Sequence, residues 1–178
     1  MQFFIKKLLT NEQKTIIIYI CNKLEKEKEE ITMTKAIYFD MDGTLANLYA
    51  VEGWLNMLRE HDPKPYVIAE PLIRLSALAR LLNRLQKEGY IIGIVSWLSK
   101  DPTPSYNKAV TEAKLKWLAN HLPSVIWDEI YIVPYGMPKQ KVVNNPFGIL
   151  FDDEEQNRTN WNGTAYDVDN IIEILKSL

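Results

Sequence analysis

From Ala36 onward, short unbroken apolar runs alternate with longer segments whose apolar residues recur every three or four positions. The runs AIYF (36–39), YIIGIVS (90–96), EIYIVP (129–134) and GILF (148–151) read as strands, with AYDV (165–168) as a fifth. Strands that are apolar at nearly every position suit a parallel sheet buried on both faces. Between them, VEGWLNMLRE (51–60) predicts a short helix and HDPKPYVIAEP (61–71) an irregular segment held by three prolines. The stretch from Pro71 to Gly89 predicts a long helix, with proline near its start and glycine just past its end. Further helices are expected from about Ser105 to Asn120 and over the terminal DNIIEILKSL. Strands alternating with helices in this way predict an α/β fold with a mainly parallel sheet flanked by helices.

The first 32 residues follow a different pattern. From Asn11, a candidate N-cap, apolar residues at Ile17, Ile20, Cys21, Leu24 and Ile31 keep close to a helical period, and EKEKEE (25–30) supplies a polar end. The segment reads as an amphipathic helical extension (1–32) preceding a domain of residues 33–178. Packing against that domain, against a partner or in a homodimer is the expected use of its apolar face. Membrane association is disfavoured, because the segment has no Trp and mixes Glu with its Lys.

Composition narrows the chemistry. A length of 178 residues fits one domain with an extension, and a 47% hydrophobic, 25% charged balance is ordinary for a globular chain. A net charge of −2 with interspersed signs gives no electrostatic footprint for nucleic acid. One cysteine, Cys21, rules out an internal disulfide and a cysteine-based zinc cluster, and two histidines are too few for a His-rich metal site. A metal here would have oxygen ligands. No apolar run approaches the ~20 residues of a membrane span, and the start MQFFIKKLLTNEQK has no small-residue cleavage site, so a cytoplasmic protein is expected.

In an open parallel sheet the ligand sits beyond the carboxyl ends of the strands, so the residues following each apolar run are the informative ones. These are Asp40 and Asp42, then Ser96, then a loop with Lys139 and Lys141, then Asp152 and Asp153. Four carboxylates in one crevice repel each other unless a cation neutralises them or some hold protons. Oxygen donors without His or Cys suit Mg²⁺, which keeps waters and substrate phosphate as its other ligands. Together with a hydroxyl and a lysine, the set reads as phosphoryl transfer on a small phosphorylated substrate.

Within that reading Asp40 is the candidate nucleophile and Asp42 the general acid and then base. Gly43 permits a tight turn, and Thr44 offers a hydroxyl to orient Asp42 and contact phosphate. Ser96 and Lys139 are the other expected phosphate-binding residues. Asp40, Asp42, Asp152 and Asp153 are the expected metal residues, with Asp152 holding Mg²⁺ directly and Asp153 acting through water. Lys139 follows Pro138 and fits a lysine entering a helix; Lys141, nearer the acidic pair, stays open as the alternative.

DMDGTL (40–45), Ser96 in IVSWLSK, Lys139 in YGMPKQK and Asp152–Asp153 in FDDEEQNR resemble, in that order, the motifs of the haloacid dehalogenase superfamily phosphatases. The resemblance spans roughly residues 35–178. It implies a Rossmann-like domain, Mg²⁺ and an aspartyl-phosphate intermediate. More loosely, DMDGTLAN leading into a short helical cap (about 47–70), with adjacent aspartates downstream, resembles the 5′(3′)-deoxyribonucleotidase branch, which implies a 5′-nucleotide substrate. Tyr49, Trp54 and Trp97 are candidates to stack on a base. Trp97 is the better one, since Trp54 shares a helix face with Met57 and Leu58 and is expected in the core. Asn157 and Arg158 read equally as substrate contacts or as a solvated helix start. His61 and His121 read as surface or loop residues, and Trp117 and Leu118 as core. The competing functions are a phosphatase acting on a nucleic-acid end and a binding protein that keeps the fold without turnover.

Overall fold

The computed structural model describes residues 10, 12–13, 16–24, 35–101 and 103–178. Two compact units divide the chain, 1–34 and 35–178. In the first, residues 12–13 and 16–24 are helical, while the expected cap Asn11, the EKEKEE run and Ile31 lie outside the described residues. Among the described residues no helix is long and apolar enough to cross a membrane.

The second unit is built on five parallel strands: β1 (Ala36–Phe39), β2 (Ile91–Trp97), β3 (Glu129–Val133), β4 (Ile149–Phe151) and β5 (Thr164–Tyr166). Their order is β3-β2-β1-β4-β5, a Rossmann-like arrangement with β1 at the centre. Register pairs Phe39 with Ile94 on one side and with Phe151 on the other. The chain runs outward from β1 to β3, then returns to lay β4 against β1. The β1/β4 seam is therefore the switch point, where connections leave in opposite directions and open a crevice beyond the strand ends.

Alternation along β1 explains why all four of its residues are buried. Ile37 and Phe39 face a core completed by Leu78, Leu82 and Leu85 of α3 (Leu75–Lys87), Trp117 and Leu118 of α4 (Pro104–His121), and Ile171 and Leu175 of α6 (Ile171–Ser177). Ala36 and Tyr38 face the other way, onto Val95, Leu150, Val143 and Trp161. A third cluster joins Leu48 and Tyr66 to Leu98, Tyr106, Val110 and Ala113, seating the inserted segment on α4.

That insertion departs from the pattern-based reading in two places. The long helix begins at Leu75, not at Pro71. Residues 70–72 are extended instead and pair with 45–47: Asn47 N–H donates to the Glu70 carbonyl (2.7 Å) and Leu72 N–H to the Leu45 carbonyl (2.9 Å). These bonds pin both ends of the short cap at the site mouth. Inside it, beyond α1 (Trp54–Arg59), the proline-rich segment contains a helical turn, α2 (Lys64–Ile68). Pro65 is tolerated there because the N–H groups of a first helical turn have no intrahelical acceptor. The last strand also starts one residue earlier than AYDV suggests and ends at Tyr166.

Candidate active site

The backbone ladder delivers two of the carboxylates. Asp40 N–H donates to the Phe151 carbonyl (2.9 Å) and Asp152 N–H to the Tyr166 carbonyl (3.2 Å), so each aspartate sits one step past its strand. Because β1 and β4 are neighbours, Asp40 and Asp152 face each other across the switch point, both buried. Lys139, from the short 3₁₀ turn Lys139–Lys141, fills the space between them. Its Nζ lies 2.8 Å from Asp40 Oδ1 and 2.6 Å from Asp152 Oδ2, and it is only 2% exposed. Burial alone would lower the Lys139 pKa, but the two carboxylates more than reverse this and raise it. Lys141 is exposed, so the geometry selects Lys139 of the two.

Asp152 is the most heavily anchored of the acids. Its Oδ1 accepts from Glu154 N–H (3.0 Å) and its two oxygens share Asn157 Nδ2 (3.1 Å each). Arg158 Nη1 donates to the carbonyls of Asp152 (2.8 Å) and Asp153 (2.6 Å), and its Nη2 pairs with Asp167 (2.9 Å). Asn157, which also lines the cleft, and Arg158 are thus not idle surface residues. They clamp the acidic pair from the turn that opens α5 (Glu155–Asn160).

Gly43 explains the turn after β1. Its φ of 75° is left-handed, and a Cβ there would run into the Asp153 carboxylate and the Tyr49 ring. The tight turn brings Thr44 beneath Asp153. Asp153 N–H donates to Thr44 Oγ1 (3.2 Å), and the Thr44 hydroxyl faces Asp153 Oδ1 (3.4 Å). Thr44 is fully buried and braces the acidic pair, correcting the expectation that it orients Asp42 or reaches phosphate.

Asp40, Asp152 and Asp153 present ligand atoms that all lie within 4.8 Å of one another. Burial pushes Asp152 up to about 6, helped by the charge of Asp40 and opposed by Lys139. Burial pushes Asp153 up to about 7, with Asp40 and Asp152 adding to it. Asp152 and Asp153, held against ionisation and crowded beside Asp40, are what a hard divalent cation relieves, so this donor set fits Mg²⁺.

Asp42 stands apart from that group, contrary to the expectation that it shares the metal. Its Oδ2 is drawn 2.6 Å from Nζ of Lys114, a residue the motif-based reading passed over. Burial, partly offset by Lys114, raises the Asp42 pKa, and Asp40 adds to the rise. Lys114 also donates to Ser96 Oγ (2.8 Å) and to the Trp97 carbonyl (2.7 Å). Ser96 is fully buried beneath this ammonium and does not line the cleft, so the expected direct contact with phosphate is not what the geometry offers. The signal for Lys114 was present in the sequence. It falls on one helical face with Val110, Trp117 and Leu118, and a lysine on a buried stripe demands a partner.

The acids open into a cleft of about 610 Å³, within the usual size of a small-molecule site. Asp40, Asp42 and Lys139 form its floor, and aromatic side chains form much of its rim. Tyr49 and Trp54 meet edge to face at 5.1 Å, and Trp97 and Tyr135 lie 5.0 Å apart. No residue of α1 is buried, so Trp54 is a half-exposed rim residue and not the core residue expected from its neighbours. Trp97 is fixed by its Nε1–H donating to the Met137 carbonyl (2.7 Å). His61 packs on Tyr106 and His121 on Trp117, both outside the cleft lining.

No protein-family profile and no curated protein matches the chain. Solved structures do match. The D,D-heptose 1,7-bisphosphate phosphatase from B. bronchiseptica, complexed with magnesium and phosphate, is 13% identical, with 71% of this chain and 74% of that one covered at a TM-score of 0.44. The D,D-heptose 1,7-bisphosphate phosphatase from Burkholderia thailandensis is 11% identical, with 80% and 97% covered at a TM-score of 0.48. With both scores below 0.5, these likenesses stand beside the site chemistry and do not carry it.

Proposed function

We propose that this protein is a divalent-cation-dependent phosphomonoester hydrolase of the haloacid dehalogenase type. The observation that carries the reading is the meeting of Asp40, Lys139, Asp152 and Asp153 at the switch point, where Asp40 and Lys139 line a cleft that Asp42 also faces. A Mg²⁺ ion held by Asp40, Asp152 and Asp153 would offset charge on the phosphate oxygens.

The residues then divide the work. An Asp40 carboxylate oxygen attacks phosphorus, forming an aspartyl-phosphate as the bond to the leaving oxygen breaks. Asp42 gives its proton to that oxygen. A water molecule next attacks the phosphorus of the intermediate, Asp42 takes a proton from it, and Asp40 is released with inorganic phosphate. Lys139 uses two of its three N–H donors on carboxylates, which leaves one for a phosphate oxygen. Asn157 and Arg158 hold the acidic pair in place throughout.

For the leaving group we infer a nucleoside, making the substrate a 5′-nucleotide. The rim favours a flat apolar partner: Trp97 with Tyr135 and Tyr49 with Trp54 offer stacking faces, each pair in contact at about the distance aromatic pairs prefer. Phosphate release from a panel of nucleoside 5′-monophosphates, sugar phosphates and p-nitrophenyl phosphate, with and without Mg²⁺, tests both levels. Mg²⁺-dependent release with nucleotides preferred is expected. Preference for sugar phosphates would overturn the nucleotide assignment, and no Mg²⁺-dependent release from any member would overturn the phosphatase.

A further inference from the structure

Lys114 is a buried lysine, 1% exposed, whose helix carries it under the active-site floor. An ammonium has three donors and no acceptor. Those of Lys114 are all used within the protein: Asp42 Oδ2 at 2.6 Å, Ser96 Oγ at 2.8 Å and the Trp97 carbonyl at 2.7 Å. It therefore has no donor left for a phosphate oxygen, unlike Lys139. Its Nζ also sits 5.2 Å from the centroid of the buried Tyr66 ring, which closes another side of the ammonium.

We infer that Lys114 is a positioning residue for proton transfer: it fixes Asp42 by one oxygen, so that the other faces the cleft and carries the proton to and from substrate. The inference rests on the phosphatase reading above. Three consequences of the geometry support it. Lys114 draws Asp42 away from the group formed by Asp40, Asp152 and Asp153, separating the proton carrier from the cation site. Being tied to Ser96 and the Trp97 carbonyl, both on β2, it refers the position of Asp42 to the sheet. Because the ammonium only donates, Ser96 must be its acceptor, so the hydroxyl serves as part of the mount. During the first step the Asp40–phosphorus bond forms, the bond to the leaving oxygen breaks, and the proton on the unheld oxygen of Asp42 passes to that leaving oxygen.

The test compares two leaving groups by kcat/KM, which reports only the steps up to leaving-group departure. An alkyl leaving group needs the proton, whereas p-nitrophenolate leaves without it. For Lys114→Met, kcat/KM should fall about 10²-fold on the alkyl phosphomonoester that the wild-type protein turns over fastest, and by less than about threefold on p-nitrophenyl phosphate. In an Asp42→Asn background the same substitution should cost less than about twofold on the alkyl substrate, since Lys114 acts through Asp42. Lys114→Gln, which keeps two donors, should recover part of the loss, and it replaces Lys114→Met throughout if that variant does not fold. Equal losses on both substrates, or an undiminished loss in the Asp42→Asn background, would overturn the positioning role. If the wild-type protein hydrolyses neither substrate, the phosphatase reading itself has failed and the inference falls with it.

Discussion

The floor and the rim of the cleft are built on opposite terms. The floor is buried and densely charged: Lys139 is 2% exposed between Asp40 and Asp152, and each of those acids is tied into the strand ladder. The rim is half open, with Tyr49 45% and Tyr135 50% exposed, and it comes from the inserted cap and from the loops after β2 and β3. Fixed charges in a water-poor setting can act on a developing charge without reorganising, which is what bond breaking requires. Exposed aromatic faces contribute binding and selectivity. On the proposed function, this difference would house chemistry and substrate choice in separate parts of one site, so substitutions in the two should fail in different ways.

The largest contrast is expected at Lys139. Lys139→Met removes the one cation between two buried acids, and activity should fall about 10³-fold in kcat with KM changed far less. The metal-free protein should also lose roughly 3 kcal/mol of stability, since the carboxylates are left buried and unpaired. Steady-state kinetics and chemical denaturation measure the two. A variant with near wild-type kcat would erase the distinction between floor and rim.

At the rim the expected effect is smaller and lies in KM. Trp97→Ala should raise KM for a nucleoside 5′-monophosphate about tenfold, the usual worth of one base stack, and leave KM for a sugar phosphate, which has no ring face to stack, nearly unchanged. Trp97→Phe keeps a ring while losing the bond to Met137, and should restore most of the affinity. If Trp97→Ala lowers kcat as deeply as Lys139→Met does, the rim belongs to the catalytic apparatus after all.

The smallest effect concerns pH. Folded-state pKa values near 6 for Asp152 and 7 for Asp153, against an ordinary 3.8, mean that the metal-free folded protein holds protons the unfolded chain has released. Its stability is therefore greatest below about pH 4 on these two groups and declines as pH rises through about 7. A bound divalent cation replaces those protons. Melting temperature in chelator should drop between pH 5 and 8, and the gain on adding Mg²⁺ should be larger at pH 8 than at pH 5. An equal Mg²⁺ gain at both values would separate the acids from the cation.

The same division governed what could be read from sequence. The floor was legible because strand ends are marked by apolar runs stopping at charges: Asp40, Lys139, Asp152 and Asp153 each follow such a stop and do meet in space. The roles of Thr44, Ser96 and Asp42 within it were less so, since they depend on which way side chains turn after a left-handed glycine and around a lysine arriving from a distant helix. Lys114 went unread because attention to strand ends skips helix faces. The rim was the least legible. Trp54 shares its periodicity with Met57 and Leu58, but α1 is too short and too exposed to have a buried stripe at all. Pro71 marked a helix start by composition, whereas pairing across the cap ends kept it extended.

The central claim is that Asp40 carries the phosphoryl group on the floor of this cleft. The most direct test is inorganic phosphate release by the wild-type protein and by Asp40→Asn, each with and without Mg²⁺, on the best substrate of the panel. Release by the wild-type protein only when Mg²⁺ is present, and none above background by Asp40→Asn, is the expected result. Turnover that survives Asp40→Asn, or that proceeds unchanged in chelator, would contradict it.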